Sequence, residues 1–95
     1  MVVINFPHNP TGCMPTRAEY AAIVDVVRDA GAILFSDEMY RFLEVVTPEE
    51  EVDRRPSAVQ LYTRAVALGG LSKSHSCPGL RCVCWNACAK HAACF

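Results

Sequence analysis

Three short apolar runs, each followed at once by polar residues or glycines, limit most strongly what this chain can fold into. They occupy residues 2–4, 32–35 and 64–68, and a weaker fourth run occupies residues 80–85. Runs of this length, rich in apolar and β-branched side chains, are typical of buried strands. Because a helical pattern separates the first two runs, we predict an α/β fold built from βαβ units, with a mostly parallel sheet covered on both faces.

Capping residues at both ends predict a helix between the first two strands. Thr16 and Glu19 have the spacing of a capping box, and Gly31 is placed to end the helix. Between them, apolar side chains recur with the spacing of one helical face, at Tyr20, Ile23, Val24 and Val27. The proline-rich residues 6–15 must form a loop, residues 44–56 are predicted to be an exposed excursion, and residues 57–62 a short helical turn.

Polar side chains follow the carboxyl ends of the three predicted strands. Asn9 follows the first strand, Asp37 and Tyr40 follow the second, and Lys73 follows the third. In open α/β sheets, ligands bind beyond the carboxyl ends of the strands. If the strands are parallel, an amide, a carboxylate, a phenol and an amine therefore gather at one edge, which makes this edge the candidate site.

Lys73, one of only two lysines in the chain, lies among small, loop-forming residues and allows three interpretations. A phosphate-binding P-loop fails, because Ser72 stands where that motif requires its second glycine. An exposed loop lysine without a role is the ordinary case. A Schiff-base lysine for the carbonyl cofactor pyridoxal phosphate (PLP) demands a carboxylate for the ring nitrogen, donors for the ring oxygen and a cation for the phosphate. The residues that would meet these demands in turn are Asp37, Tyr40 with Asn9, and Arg81.

Four segments of the sequence resemble the motifs of one family, in the same order. Residues 5–12 (NFPHNPTG) resemble its Asn-Pro-x-x-Asn-Pro-Thr-Gly loop, with Phe6 one place out of that register. Residues 36–40 (SDEMY) resemble its Asp-Glu-x-Tyr segment, residues 71–74 (LSKS) its Ser-x-Ser-Lys segment, and residues 78–81 (PGLR) its Pro-Gly-Leu-Arg segment. The family is that of the fold-type I PLP-dependent enzymes, in the class I/II aminotransferase group, and the resemblance covers residues 1 to about 81.

The resemblance implies part of a large domain with a doubly wound, mostly parallel sheet, truncated at both ends. Residues 1–81 would be the central segment of the PLP-binding domain, with PLP as cofactor. Lys73 would be the catalytic residue, holding PLP as a Schiff base and moving protons as general base and acid. The cofactor-binding residues would be Asn9, Asp37, Tyr40, Ser72, Lys73 and Arg81. A complete relative would act in amino acid metabolism as a homodimer, transferring an amino group between an α-amino acid and a 2-oxo acid.

Gly70 and the C-terminal tail depart from the family pattern. Gly70 stands where the family usually has a phosphate-binding Ser or Thr. Residues 82–95 form an atypical cysteine-rich tail, which we interpret as the product of a truncation or a misread boundary. A metal site made from these cysteines with His75 and His91 is an alternative, but the cysteine spacing departs from that of structural zinc sites, and we predict no metal. A disulfide framework lacks the secretory signal that would favour it.

Composition restricts the remaining function classes. Nine basic and ten acidic residues give a net charge of −1, which argues against a nucleic-acid partner. The sequence shows no secretory pattern and no apolar run of membrane-spanning length, so we expect a cytoplasmic protein. A hydrophobic content of 52% is high for 95 residues and indicates either that some of the apolar surface meets a partner or that the chain is a piece of something larger. We expect the chain alone to be incomplete and inactive. The alternatives are a non-catalytic remnant or interaction module, and another fold-type I PLP reaction, such as that of a decarboxylase or a lyase.

Overall fold

The computed structural model describes residues 1–45 and 55–87 of the chain. These residues form four strands, two α-helices and one short 3-10 turn. In chain order they are β1 (Val2–Asn5), α1 (Arg17–Asp29), β2 (Leu34–Asp37), α2 (Ala58–Leu61), β3 (Ala65–Gly70), the 3-10 turn (Pro78–Leu80) and β4 (Val83–Ala87). None of the helices in this part of the chain is long and apolar enough to cross a membrane.

The four strands form one sheet in the order β1-β2-β3-β4. Strands β1, β2 and β3 run parallel, with Val3 beside Phe35 and Phe35 beside Val66. The last strand, β4, pairs antiparallel with β3, and Val83 lies opposite Gly70. The predicted mostly parallel sheet is confirmed, and the carboxyl ends of its first three strands meet at one edge.

Helix α1 begins and ends as its sequence predicts. The Thr16 amide donates to the Glu19 carboxylate at 2.8 Å, and the Glu19 amide donates back to the Thr16 hydroxyl at 3.2 Å. The hydrogen bonds from the Thr16 backbone and side chain lower the pKa of Glu19. At the other end Gly31 has a φ of 60°, and the amide of Ala32 donates to the carbonyl of Val27 at 3.1 Å. This pair of features is the Schellman ending that favours glycine.

The hydrophobic core lies between α1, α2 and one face of the sheet. Leu34 on β2 has no exposed surface and packs with Val24 of α1 and Ala58 of α2. Tyr20 also enters this core, and its hydroxyl lies 3.3 Å from that of Ser36. Burial raises the pKa of Tyr20, because the charged phenolate would lose its contact with water.

The opposite face of the sheet is only partly covered by the described residues. Phe35 contacts Trp85 at 5.6 Å between ring centroids, yet Trp85 remains 62% exposed and Val3 61% exposed. The sequence predicted cover on both faces, but both helices among residues 1–45 and 55–87 pack on the same face. The layer that would complete a doubly wound sheet is therefore not found among the described residues.

Several strand boundaries differ from those predicted: β2 is Leu34–Asp37 where residues 32–35 were predicted, and β3 and β4 also begin later than expected. Residues 80–82 precede β4 instead of starting it, because Pro78 and Gly79 open a 3-10 turn and Arg81 takes a left-handed conformation with a φ of 49°. Arg64 precedes β3, and its guanidinium donates to the carbonyl of Gly31. Of the predicted excursion at residues 44–56, residues 46–54 lie outside the described part, as do residues 88–95 of the tail.

Candidate active site

The loop after β1 folds back on itself and presents Asn9 beside the carboxyl edge of the sheet. The amide of His8 donates to the carbonyl of Cys13 at 3.0 Å, and the amide of Gly12 donates to the carbonyl of His8 at 2.8 Å. Gly12 has a φ of 69°, a conformation that favours glycine. The ring of His8 also lies 2.6 Å from the Thr11 hydroxyl. These contacts give the proline-rich segment a defined shape.

Asn9, Tyr40 and Lys73 meet at this edge although they come from three separate loops. The side-chain amide of Asn9 donates to the Tyr40 hydroxyl oxygen at 3.1 Å. The Lys73 ammonium nitrogen lies 5.7 Å from the centre of the Tyr40 ring, a cation–π distance. Because the Tyr40 oxygen accepts from Asn9, the Tyr40 hydrogen is left to donate to another group. The predicted meeting of amide, phenol and amine is therefore observed.

Asp37 ends β2 three residues before Tyr40, with its side chain partly buried. Its backbone carbonyl accepts from the amide of Phe6 at 3.2 Å, which joins the ends of β1 and β2. One carboxylate oxygen, Oδ1, accepts from the amide of Met39 at 3.0 Å. Within the described residues this leaves Oδ2 to accept from a further donor. A carboxylate fixed by one oxygen can hold a cationic N–H group with the other.

Lys73 and Arg81 lie on the one loop that joins β3 to β4. The amide of Leu71 donates to the carbonyl of Cys82 at 3.3 Å, and the amide of Cys77 donates to the carbonyl of Leu71 at 3.0 Å, so the loop is closed at its base. Both Lys73 and Arg81 are exposed. Ser72 precedes the lysine and is partly buried. No contact of Ser72 or Arg81 with the other predicted site residues is seen in the described part of the chain.

Two neighbours of Asp37 were missed by the sequence analysis. Glu38 is only 8% exposed, and its Oε1 accepts from the Ser57 hydroxyl at 3.0 Å and from the Ala58 amide at 2.9 Å. It also pairs with Arg41 at 3.6 Å. Strand alternation could have indicated this position, because Glu38 shares the inward direction of Ser36, two residues earlier. Met39, the second missed residue, is the donor to Asp37 described above.

The cysteines near this loop are free thiols where the structure describes them, at Cys77, Cys82 and Cys84. Across residues 1–45 and 55–87 no group of three or more His, Cys, Asp or Glu side chains is arranged to hold a metal ion. The remaining residues of the metal alternative, Cys88, His91 and Cys94, lie outside the described part.

An amine, a phenol, an amide and a carboxylate thus lie at the carboxyl edge of an α/β sheet, which is the edge where proteins of this fold class bind organic ligands. Residues 1–94 match the family described as aminotransferase class I and II, and the chain belongs to that family. The cofactor that this membership implies is PLP.

Known proteins of this family resemble the chain in sequence and in structure. The aspartate aminotransferase of Thermococcus kodakarensis is 33% identical over 81 residues, which is 85% of this chain and 20% of that protein. The capreomycidine synthase of Streptomyces vinaceus is 32% identical over 87 residues, with the same two coverages. The crystal structure of a PLP-dependent aminotransferase from Streptococcus suis superposes with a TM-score of 0.77 at 31% identity, covering 93% of this chain and 22% of that one. The chain thus spans about a fifth of the length of these relatives.

The donor and acceptor groups at the edge suit PLP in their chemistry. The free Oδ2 of Asp37 matches a protonated ring nitrogen, and the hydrogen of Tyr40 matches an anionic ring oxygen. Lys73 supplies the amine that a carbonyl cofactor requires. Arg81 lies on the same loop as Lys73 and offers a guanidinium for a phosphate. The residues present therefore fit the group.

Proposed function

We propose that this chain is the cofactor-holding part of a PLP-dependent aminotransferase that moves an amino group between an α-amino acid and a 2-oxo acid. The observation that supports this function most directly is the Asn9–Tyr40 hydrogen bond of 3.1 Å beside the Lys73 amine. It joins two motifs that lie 31 residues apart in the chain. Asp37, the last residue of β2 and three residues before Tyr40, completes the set.

Each side chain has a separate task in this proposal. When bound, PLP supplies the electrophilic carbon and the electron-withdrawing ring. Asp37 Oδ2 would hold a proton on the ring nitrogen, and the Tyr40 hydroxyl, which Asn9 orients, would donate to the ring oxygen. Lys73 Nζ would hold the cofactor covalently and would carry a proton to and from the substrate's α-carbon. Arg81, with Ser72 beside Lys73, would bind the phosphate.

The 95-residue chain is not proposed to turn over substrate alone. It spans about a fifth of the relatives it matches, and no group among its described residues is assigned to bind the substrate carboxylate. Orienting both reactants is a large part of enzymatic rate enhancement, so a site without that contact has little means of selecting a substrate. The complete protein is proposed to be a cytoplasmic homodimer.

Two further candidate functions rest on particular observations. Similarity to the capreomycidine synthase, at the same coverage as to the aspartate aminotransferase, favours keeping another PLP reaction as a candidate. The partly exposed sheet face, with Val3 and Trp85 more than half exposed, favours a non-catalytic interaction module.

Reductive labelling tests the proposed cofactor site. The purified chain is incubated with PLP, treated with borohydride and digested, and the labelled lysine is identified by mass spectrometry. Lys90, the other lysine of the chain, reports non-specific reaction in the same sample. We expect label to concentrate on Lys73 and to be lost from it in Asp37→Ala. Equal labelling of the two lysines would contradict the proposed site.

A further inference from the structure

Gly70, the last residue of β3, is closely approached by the side chain of Met39. A Cβ atom built on Gly70 would lie 2.9 Å from the Met39 sulfur, 3.0 Å from its terminal methyl carbon and 3.1 Å from the carbonyl oxygen of Cys82. Separations below 3.0 Å between such atoms do not persist, so a side chain at Gly70 would force Met39 to move. The thioether occupies the space that a residue larger than glycine would need.

Space, and not backbone conformation, explains the glycine at this position. Gly70 is not among the glycines with positive φ, so its backbone could accept any residue. Its neighbour Gly69 also lies in β3, and a Cβ there would have no atom within 4 Å. The two adjacent glycines therefore differ in their surroundings, because Met39 and the Cys82 carbonyl oxygen lie against Gly70 and nothing lies within 4 Å of a Cβ at Gly69.

Met39 contacts both Asp37 and the end of β3 that leads into the Lys73 loop. Its backbone amide donates to Asp37 Oδ1 at 3.0 Å, which orients the carboxylate. Its side chain lies against Gly70, immediately before the loop that carries Lys73. The Cys82 carbonyl, which also lines this contact, accepts the Leu71 amide that closes the base of that loop. One residue thus joins the acid on β2 to the amine-bearing loop after β3.

We propose that Met39 is a positioning residue, whose side chain packs on Gly70 and holds the Lys73 loop in place relative to the Asp37 carboxylate. The positioning role rests on the proposed function, whereas the packing of Met39 on Gly70 does not depend on that function. A long thioether suits the task because it fills an irregular gap between two strand ends. Removing the side chain should loosen the loop, and adding a methyl group at Gly70 should displace the same side chain.

A double-mutant cycle on the whole chain tests the packing contact without PLP. Gly70→Ala should lower the urea midpoint of unfolding more than the matched control Gly69→Ala, which adds the same methyl group in open space. In the Met39→Ala background that difference should become smaller, because the two closest atoms are gone and only the Cys82 carbonyl oxygen at 3.1 Å remains. Equal effects of the two glycine substitutions in the wild-type background, or a chain without a cooperative transition, would overturn the contact.

Labelling by PLP and borohydride tests the positioning role. Met39→Ala should lower the ratio of label on Lys73 to label on Lys90 several-fold, and Met39→Leu, which restores most of the volume, should recover it. If Met39→Ala keeps the wild-type ratio, the positioning role is wrong although the proposed function stands. If the wild-type chain labels both lysines equally, both the proposed function and the positioning role are wrong. The packing contact between Met39 and Gly70 is then still tested by the unfolding measurements.

Discussion

We expect substitution of Glu38 to reduce the stability of the fold without removing a group that is proposed to contact the cofactor. It follows Asp37 directly but points to the other side, where its Oε1 accepts from the Ser57 hydroxyl and the Ala58 amide at the start of α2. Its second oxygen pairs with Arg41 at 3.6 Å. Glu38→Ala removes both acceptors and the charge. Glu38→Gln keeps Oε1 as an acceptor and removes the charge alone.

The size of the effect follows from these contacts. A hydrogen bond to a charged group contributes about 1.5–3 kcal/mol, and a buried donor left unpaired costs about 1–3 kcal/mol. The amide of Ala58 is buried and cannot turn to water, whereas the Ser57 hydroxyl is only partly buried and can rotate. We therefore expect Glu38→Ala to lower the free energy of unfolding by about 2–4 kcal/mol and Glu38→Gln by about 1 kcal/mol. A chain of this length has a total stability of about 5–14 kcal/mol, so the first loss is a large fraction of it.

Urea unfolding of the wild-type chain and the two variants measures both losses. Arg41→Gln is the matched control for the ion pair and should resemble Glu38→Gln, because each removes one partner of the same contact. If Glu38→Gln were as destabilising as Glu38→Ala, the charge and not the two hydrogen bonds would be the important feature. If Glu38→Ala left the midpoint unchanged, the assignment of Glu38 as the link between the site and α2 would be wrong.

Three further predictions concern the core, the site and the first helix. Leu34→Ala should destabilise the chain by about 2–5 kcal/mol in urea unfolding, because Leu34 is fully buried, whereas Leu80→Ala should change little, because Leu80 is 69% exposed; equal effects would contradict the core. Tyr40→Phe should reduce the selective PLP labelling of the site lysine while leaving the urea midpoint nearly unchanged, since the lost hydroxyl is exposed; an unchanged labelling ratio would remove Tyr40 from the site. The lowered pKa of Glu19 means that its capping contribution is present above the ordinary carboxyl pKa of 4.5 and is lost as the pH falls through the lowered value, so Glu19→Gln should flatten this part of the pH dependence of unfolding.

The parts of the fold that depend on neighbouring residues were predictable from the sequence. The Thr16–Glu19 capping box and the ending at Gly31 rest on contacts within a few residues, so local spacing determines them. The parallel arrangement of β1, β2 and β3 followed from the intervening helices and from the buried character of the runs. The beginning of β4 was placed too early, because an apolar pattern cannot report that Arg81 takes a left-handed conformation after a turn.

The positions of the candidate site residues were predictable, but the contacts between them were not. The sequence indicated that Asn9, Tyr40 and Lys73 follow strand ends, but whether two of them touch depends on strand register and loop shape, which no local pattern fixes. Met39 was missed for the same reason, because its relation to Gly70 joins residues 31 positions apart through two adjacent strands. The roles assigned to all six site residues stay predictions: Asn9, Asp37, Tyr40, Ser72, Lys73 and Arg81.

The antiparallel pairing of β4 with β3 places Lys73 and Arg81 on the same hairpin. The loop that bears both residues is closed at its base, where Gly70 pairs with Val83 and Leu71 donates to the carbonyl of Cys82. The spacing of amine and guanidinium is therefore determined within one contiguous hairpin, whereas the Asn9–Tyr40 contact depends on the pairing of β1 with β2. A gene rearrangement that carried this hairpin into another protein would transfer the amine and the cation together, and would leave the acid and the phenol behind.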